Sequence, residues 1–198
     1  MRNVAPTTTE SLRSRGVLII FCVVMFVVAG CGKDDPVKSS VARPRLQICD
    51  YGLVIFFGAG GDSERIRLLG WAATEGGYTW TDGIGASLGL RLPASEYPVR
   101  LSLKAAGMND KVRLPFQPVD VAVNGEKIAS WQVAEEKTYT AIIPRRLVAA
   151  PETFLLIDFY MPKVASPTSL GHGPDSRRLG MRVVDLRFDK APEAAANR

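Results

Sequence analysis

The sequence predicts an all-β fold, a single antiparallel β-sandwich of jelly-roll-like form, preceded by a short apolar segment at the N-terminus. Three observations predict it. Short runs of β-branched, aromatic or alternating residues recur between residues 51 and 188. The chain's 18 glycines and 13 prolines punctuate those runs. Beyond residue 46, no stretch longer than about a turn carries helical periodicity. Short strands at regular spacing, bounded by turn residues, are the pattern of sandwiches and barrels. No internal repeat and no second domain are visible.

Residues 1–16 are polar, with Arg2, Arg13 and Arg15 against Glu10. An unbroken apolar run follows over residues 17–28. It matches a secretory h-region and falls short of the roughly 20 residues a spanning helix needs. It ends in Val28-Ala29-Gly30-Cys31, then Gly32. Small residues just before a cysteine resemble the lipobox of bacterial lipoproteins. The resemblance implies a signal peptide over residues 1–30, cleavage before Cys31, and lipid on the Cys31 sulfur and amine. Membrane lipid is then the first expected partner, since several acyl chains give stable anchoring. Gly32, where an aspartate would favour inner-membrane retention, favours an outer-membrane destination facing the periplasm. An uncleaved anchor helix is the alternative that the residues leave open.

Composition narrows the functional classes. Removing residues 1–30 lowers the formal net charge from +5 to +3, with no basic block, which speaks against nucleic acid. What remains is enough for one domain with a proper core. Cys22 leaves with the signal and Cys31 is acylated, so Cys49 stands alone and no internal disulfide forms. The fold must rest on its packed core, with Cys49 as a small, partly buried apolar residue.

Residues 31–45, the lipidated cysteine and a polar stretch with two prolines, read as a flexible tether. The sandwich is expected over residues 46–189 and a disordered tail over 190–198. Residues 51–57 form an apolar strand, 58–62 a glycine turn, and the alternating 64–69 a returning strand. Residues 86–92 and 97–105 alternate, the latter with Val99, Leu101, Leu103 and Ala105 on one face. Asn124-Gly125 between two strand-like runs is the strongest hairpin signal in the chain, because both residues accept positive φ. Strands follow at 139–143 and 153–160, with a single helical turn between them near 145–150 and a loop at 162–174. The last strand, 179–188, places Met181, Val183, Asp185 and Arg187 on one face and Arg182, Val184, Leu186 and Phe188 on the other.

The most informative stretch is 70–92, with Trp71 and Trp80 around Glu75 among several glycines. Tryptophan carries both a large apolar surface and an N–H to satisfy, so this is either a tightly turned knot or a ligand platform. Trp71 is expected in the core and Trp131 packed across the sheet. Trp80, with Thr81 and Asp82, is the candidate for contact with a sugar ring. A carboxylate among tryptophans and glycines is expected to be paired, and Arg178 is the candidate bidentate partner of Glu75. His172, the only histidine, sits in Gly171-His172-Gly173 without companions for a zinc site or a catalytic triad. Asp62, Asp82 and Asp175 match no calcium-loop spacing, and residues 58–61 lack any nucleotide-binding spacing. No metal, cofactor or catalytic residue is predicted.

Gly70-Trp71, Glu75, Trp80-Thr81-Asp82-Gly83 and the 86–92 strand resemble the signature of an uncharacterised β-sandwich domain. That domain occurs at the periplasmic C-terminus of certain membrane glycosyltransferases. Residues 121–125, Ile142-Ile143-Pro144 and 175–181 extend the resemblance over residues 51–188. It implies a β-sandwich in a glycan-rich setting and no activity of its own. Here the signature follows a lipobox rather than a membrane glycosyltransferase. The combined expectation is a non-catalytic, carbohydrate-binding envelope lipoprotein, accessory to polysaccharide synthesis or export. Its partner would be a polysaccharide or a glycosyltransferase complex. A protein-binding scaffold is the alternative.

Overall fold

The computed structural model describes residues 47–192. The expected signal peptide, Cys31, the tether and residues 193–198 of the expected tail lie outside the described residues. Among the described residues, one antiparallel sheet contains β1 (Val54–Phe56), β2 (Trp71–Thr74), β3 (Thr79–Asp82), β5 (Val99–Gly107), β8 (Lys137–Ile143) and β10 (Leu179–Lys190). The other contains β4 (Gly85–Leu92), β6 (Gln117–Val123), β7 (Glu126–Val133) and β9 (Thr153–Tyr160), in the order β4-β9-β6-β7. The predicted two-sheet antiparallel sandwich is therefore present. From β3 onward only β6–β7 is a hairpin within one sheet, and every other connection crosses to the opposite sheet.

Alternation along each strand makes the core. Val99, Leu101, Leu103 and Ala105 are fully buried on the predicted face of β5. They meet Leu88, Leu90, Leu155, Ile157 and Phe159 of the other sheet within one hydrophobic cluster. Asn124 and Gly125 take φ values of 50° and 82°, the left-handed pair the hairpin requires. The Asn124 amide adds a clamp, donating to Phe154 O and accepting from Leu156 N–H. Trp131 on β7 stacks between Tyr139 and Phe159 and donates its indole N–H to Thr140 O on β8, joining the two sheets.

β10 organises the first sheet. One side pairs with β5 along its length, while the other pairs first with β3 and then with β1. Its register against β5 shifts between Val183 and Asp185. This bulge at Val184 corrects the predicted alternation: Met181, Val183, Leu186 and Phe188 are buried, while Arg182, Asp185 and Arg187 face outward. An extra residue inserted into one strand reverses the side-chain parity beyond it.

Three other expectations change. Residues 64–69 do not form a strand; Asp62–Arg65 is a 3-10 turn, and Ile66 and Arg67 both donate N–H to Ser63 O. The chain then lies along the free edge of β4 through Leu68 N–Ser87 O and Ser87 N–Leu69 O bonds, protecting that edge. Within the expected 162–174 loop, Pro167–Leu170 is a short helix (α1) closed by a Ser166/Ser169 capping box. The fold also outlasts residue 189: β10 reaches Lys190, and Ala191 is buried with its N–H on Pro98 O.

Gly70 has φ +74°, and a Cβ there would stand 1.9 Å from Gly85 O, whereas one on Gly76 meets nothing within 4 Å. Gly70→Ala should therefore cost more than about 2 kcal/mol, against about 0.5 kcal/mol or less for Gly76→Ala, as read by denaturant unfolding.

Candidate functional site

β3 puts Thr79 and Thr81 inward and Trp80 and Asp82 outward. Thr81 is fully buried: its oxygen accepts from Met181 N–H at 2.9 Å, and its hydroxyl donates to Met161 Sδ at 3.3 Å. Gly180 permits this closeness, because a Cβ there would lie 2.7 Å from Thr81 Oγ1 and 2.4 Å from Met161 Sδ. Thr81 thus holds β3 onto β10 from inside and offers nothing to a ligand, which corrects its placement beside Trp80 and Asp82 as a contact residue.

Trp80 lies half-buried on a small apolar cushion of Met108, Leu170 and Leu179. Tyr78, two residues earlier and on the same outward face, meets it edge to face at 6.1 Å and 83°. The Arg182 guanidinium stands 5.1 Å above the Tyr78 ring. Arg182 is directly opposite Trp80 in the β3–β10 pairing and is outward because it precedes the bulge. Glu136, in the turn before β8, bridges Arg182 and Lys104 at 3.2 Å each. The nearby Glu75 carboxylate holds the Tyr78 phenol above its ordinary pKa, with burial acting the same way and Arg182 opposing. Asp82 is exposed at the rim. Together these residues form an outward aromatic platform whose rings are fixed by packing and whose rim carries ion-paired hydrogen-bonding groups.

The ion pair of Glu75 is with Arg177, at 3.3 Å, and not with Arg178. Arg177 also binds Asp175 at 2.6 Å, and this hydrogen-bonded guanidinium keeps the Asp175 carboxyl below its usual range. Arg178 is exposed and supplies only its carbonyl, to Gly83 N–H at 2.7 Å, a backbone tie between the knot and β10. Both Glu75 and Arg177 are well exposed, so their pair contributes little. Inside the knot the fastening comes from Arg67, whose guanidinium donates to Ala72 O, Thr74 Oγ1 and Thr79 Oγ1. Burial lowers the Arg67 pKa, opposed by the Glu64 charge at 3.4 Å.

Trp71 packs on Phe57 and Phe159 and donates its indole N–H to Ser87 O at 2.9 Å, a core position. His172 is exposed, 3.7 Å from Asp110. Residues 58–61 line an open cleft of about 500 Å³ with Asp62, Glu64, Arg65 and Thr74. Cys49 is buried, and burial, with Asp50 and Asp62 adding, pushes its thiol pKa up to about 11. Among the described residues, no group of three or more His, Cys, Asp or Glu is placed to hold a metal ion. Sequence reasoning missed Tyr78, Arg182 and Glu136. Tyr78 carried a signal in its two-residue spacing from Trp80, the period of one strand face.

No family model matches the sequence. No curated protein matches it. Among solved structures, it is similar to the CBM36-1 domain of a multidomain xylanase from the hindgut metagenome of Trinervitermes trinervoides. That match has 11% identity and a TM-score of 0.42, covering 71% of this chain and 98% of that one. It is similar also to a native family 35 carbohydrate-binding module from Clostridium thermocellum, at 10% identity and TM-score 0.39, covering 70% and 99%. A third is a CBM36 carbohydrate-binding module in complex with calcium and xylotriose, at 10% identity and TM-score 0.34, covering 74% and 95%. The sheet pairings above define the sandwich independently of these likenesses.

Thr81→Val leaves the buried Met181 N–H without a partner and should cost about 1–3 kcal/mol in denaturant unfolding. Glu75→Gln, at an exposed pair, should cost less than about 1 kcal/mol in the same assay.

Proposed function

We propose that this chain is a non-catalytic glycan-binding module held at the bacterial envelope by lipid on Cys31. The observation that carries the proposal is the Tyr78–Trp80 pair, two half-buried rings at 83° on the outward face of β3. The C–H face of a pyranose ring is apolar and fits an aromatic ring, while its hydroxyls need donors and acceptors at the edge. Arg182, Glu136 and Asp82 supply both around the platform. Rings already fixed by packing lose little conformational freedom when a ligand binds.

The described chain begins beside the end of β4, where Cys49 N–H binds Arg91 O and Arg91 N–H binds Gln47 O. The platform lies at the opposite end, near the start of β10. In this reading the module holds polysaccharide during its synthesis or export, beside a membrane glycosyltransferase as the signature implies.

A protein-binding scaffold is the second reading. Leu69 is 75% exposed and Ile84 49% exposed, flanking the Gly70–Gly85 contact, as a protein-docking surface would be.

Calorimetric titration with purified envelope polysaccharide separates the two. Trp80→Ala and Arg182→Ala should each weaken binding at least tenfold, equivalent to about 1.4 kcal/mol. Saturable binding unaffected by both variants, or no binding by the wild type, would overturn the platform. Cys31→Ser should abolish incorporation of labelled palmitate and release the protein from the membrane fraction; retained label would overturn the anchor.

A further inference from the structure

Phe56 extends the platform. β1 and β3 lie end to end along the same side of β10, Phe56 opposite Asp185 and Trp80 opposite Arg182. The chain after β1 stays beside the start of β3: Phe57 O accepts from Thr79 Oγ1, and Ala59 N–H binds Gly76 O. The bulge at Val184 falls at this junction and turns both Arg182 and Asp185 outward. Phe56, Tyr78 and Trp80 therefore occupy one outer face in a row. Because the bulge adds a residue without advancing the strand, the ends of the row lie as far apart as Ala106 and Lys104 on β5, two residues or about 7 Å at the usual rise per residue.

Phe56 is 57% exposed, although Ile55 and Phe57 on either side are buried. A sheet edge normally blunts its outer face with charge or proline, and here a phenylalanine stands on it instead. Beside the row, most outward charges of β10 and β5 lie near an opposite charge. Glu136 bridges Arg182 and Lys104, Asp185 lies opposite Lys104, and Asp189 pairs with Arg187 at 2.9 Å and lies opposite Arg100. The row thus offers apolar ring faces flanked by donors and acceptors, most of them held in ion pairs.

We propose, resting on the glycan reading of the Tyr78–Trp80 platform, that Phe56 is a second aromatic subsite. It turns the platform into a track for an internal stretch of an uncharged linear polysaccharide. A single pyranose ring covers one end of the row. Only a longer oligosaccharide covers both, so Phe56 acts on chain-length preference while Trp80 acts on all lengths.

The test is a titration of the purified protein with size-fractionated fragments of purified envelope polysaccharide, from monosaccharide to hexasaccharide, at low and high salt. The expected result is wild-type affinity that rises with length and does not respond to salt. Phe56→Ala should weaken hexasaccharide binding about tenfold and leave monosaccharide binding within about threefold. Phe56→Tyr should keep the length dependence, and Val54→Ala, exposed on the same strand, should behave as wild type. Phe56→Ala that matches wild type at every length, while Trp80→Ala loses all binding, would overturn the track and keep the platform. A length-independent affinity, or one lost at high salt, would also overturn the track. Absence of wild-type binding at every length would overturn the platform itself. Should Phe56→Ala fail to fold, Phe56→Leu, which keeps apolar bulk without an aromatic face, replaces it with the same expected loss.

Discussion

The outer face of the first sheet depends on the bulge at Val184 in β10. Upstream of it Met181 and Val183 point into the core; downstream, Leu186 and Phe188 do. Unbroken alternation would bury Asp185 beside Val183 or expose Leu186 and Phe188, and each alternative is costly in a packed interior. The extra residue resolves that conflict and sets Arg182 and Asp185 on the same outward face. It coincides with the place where β3 gives way to β1 as the partner strand. One local change in register therefore shapes the core and spaces the groups on the surface.

The surface in turn is held from below. Thr81, Met161 and Gly180 form a close contact between β3 and β10, with no room for a side chain at Gly180. Arg67 fastens the turn that connects β2 to β3. Trp80 rests on Met108, Leu170 and Leu179, so α1 and the segment after β5 support the ring without covering it. These buried interactions set the positions of Tyr78 and Trp80, while the groups available to a ligand stay in the outer layer. The buried contacts and the outward aromatic rings thus occupy opposite faces of the same short stretch of chain.

Much of this was legible in the sequence, for identifiable reasons. Strict alternation over 99–105 and the Asn124-Gly125 pair report local chemistry, and both gave the observed strand face and hairpin. Trp71 and Trp131 took the packed positions expected of tryptophans in a sandwich, each with its N–H on a carbonyl. The bulge left no glycine or proline to announce it, so Asp185 was placed on the wrong face. Residues 64–69 alternate as a strand does, yet Ser63 O captures the following amides and turns the chain. Glu75 was rightly expected to find an arginine, but neighbouring residues in an extended segment point opposite ways, and this selected Arg177 over Arg178. Thr81 looked like a companion of Trp80 because sequence adjacency hides the two-residue period of the strand.

The most direct test of the platform follows the three indole N–H resonances of the soluble domain by NMR during titration with envelope oligosaccharide. The Trp71 and Trp131 indoles are committed to Ser87 O and Thr140 O inside the fold, whereas Trp80 stands at the surface beside Tyr78. The account predicts that the Trp80 resonance shifts saturably and the other two stay in place. A saturable titration that leaves Trp80 unmoved would contradict it.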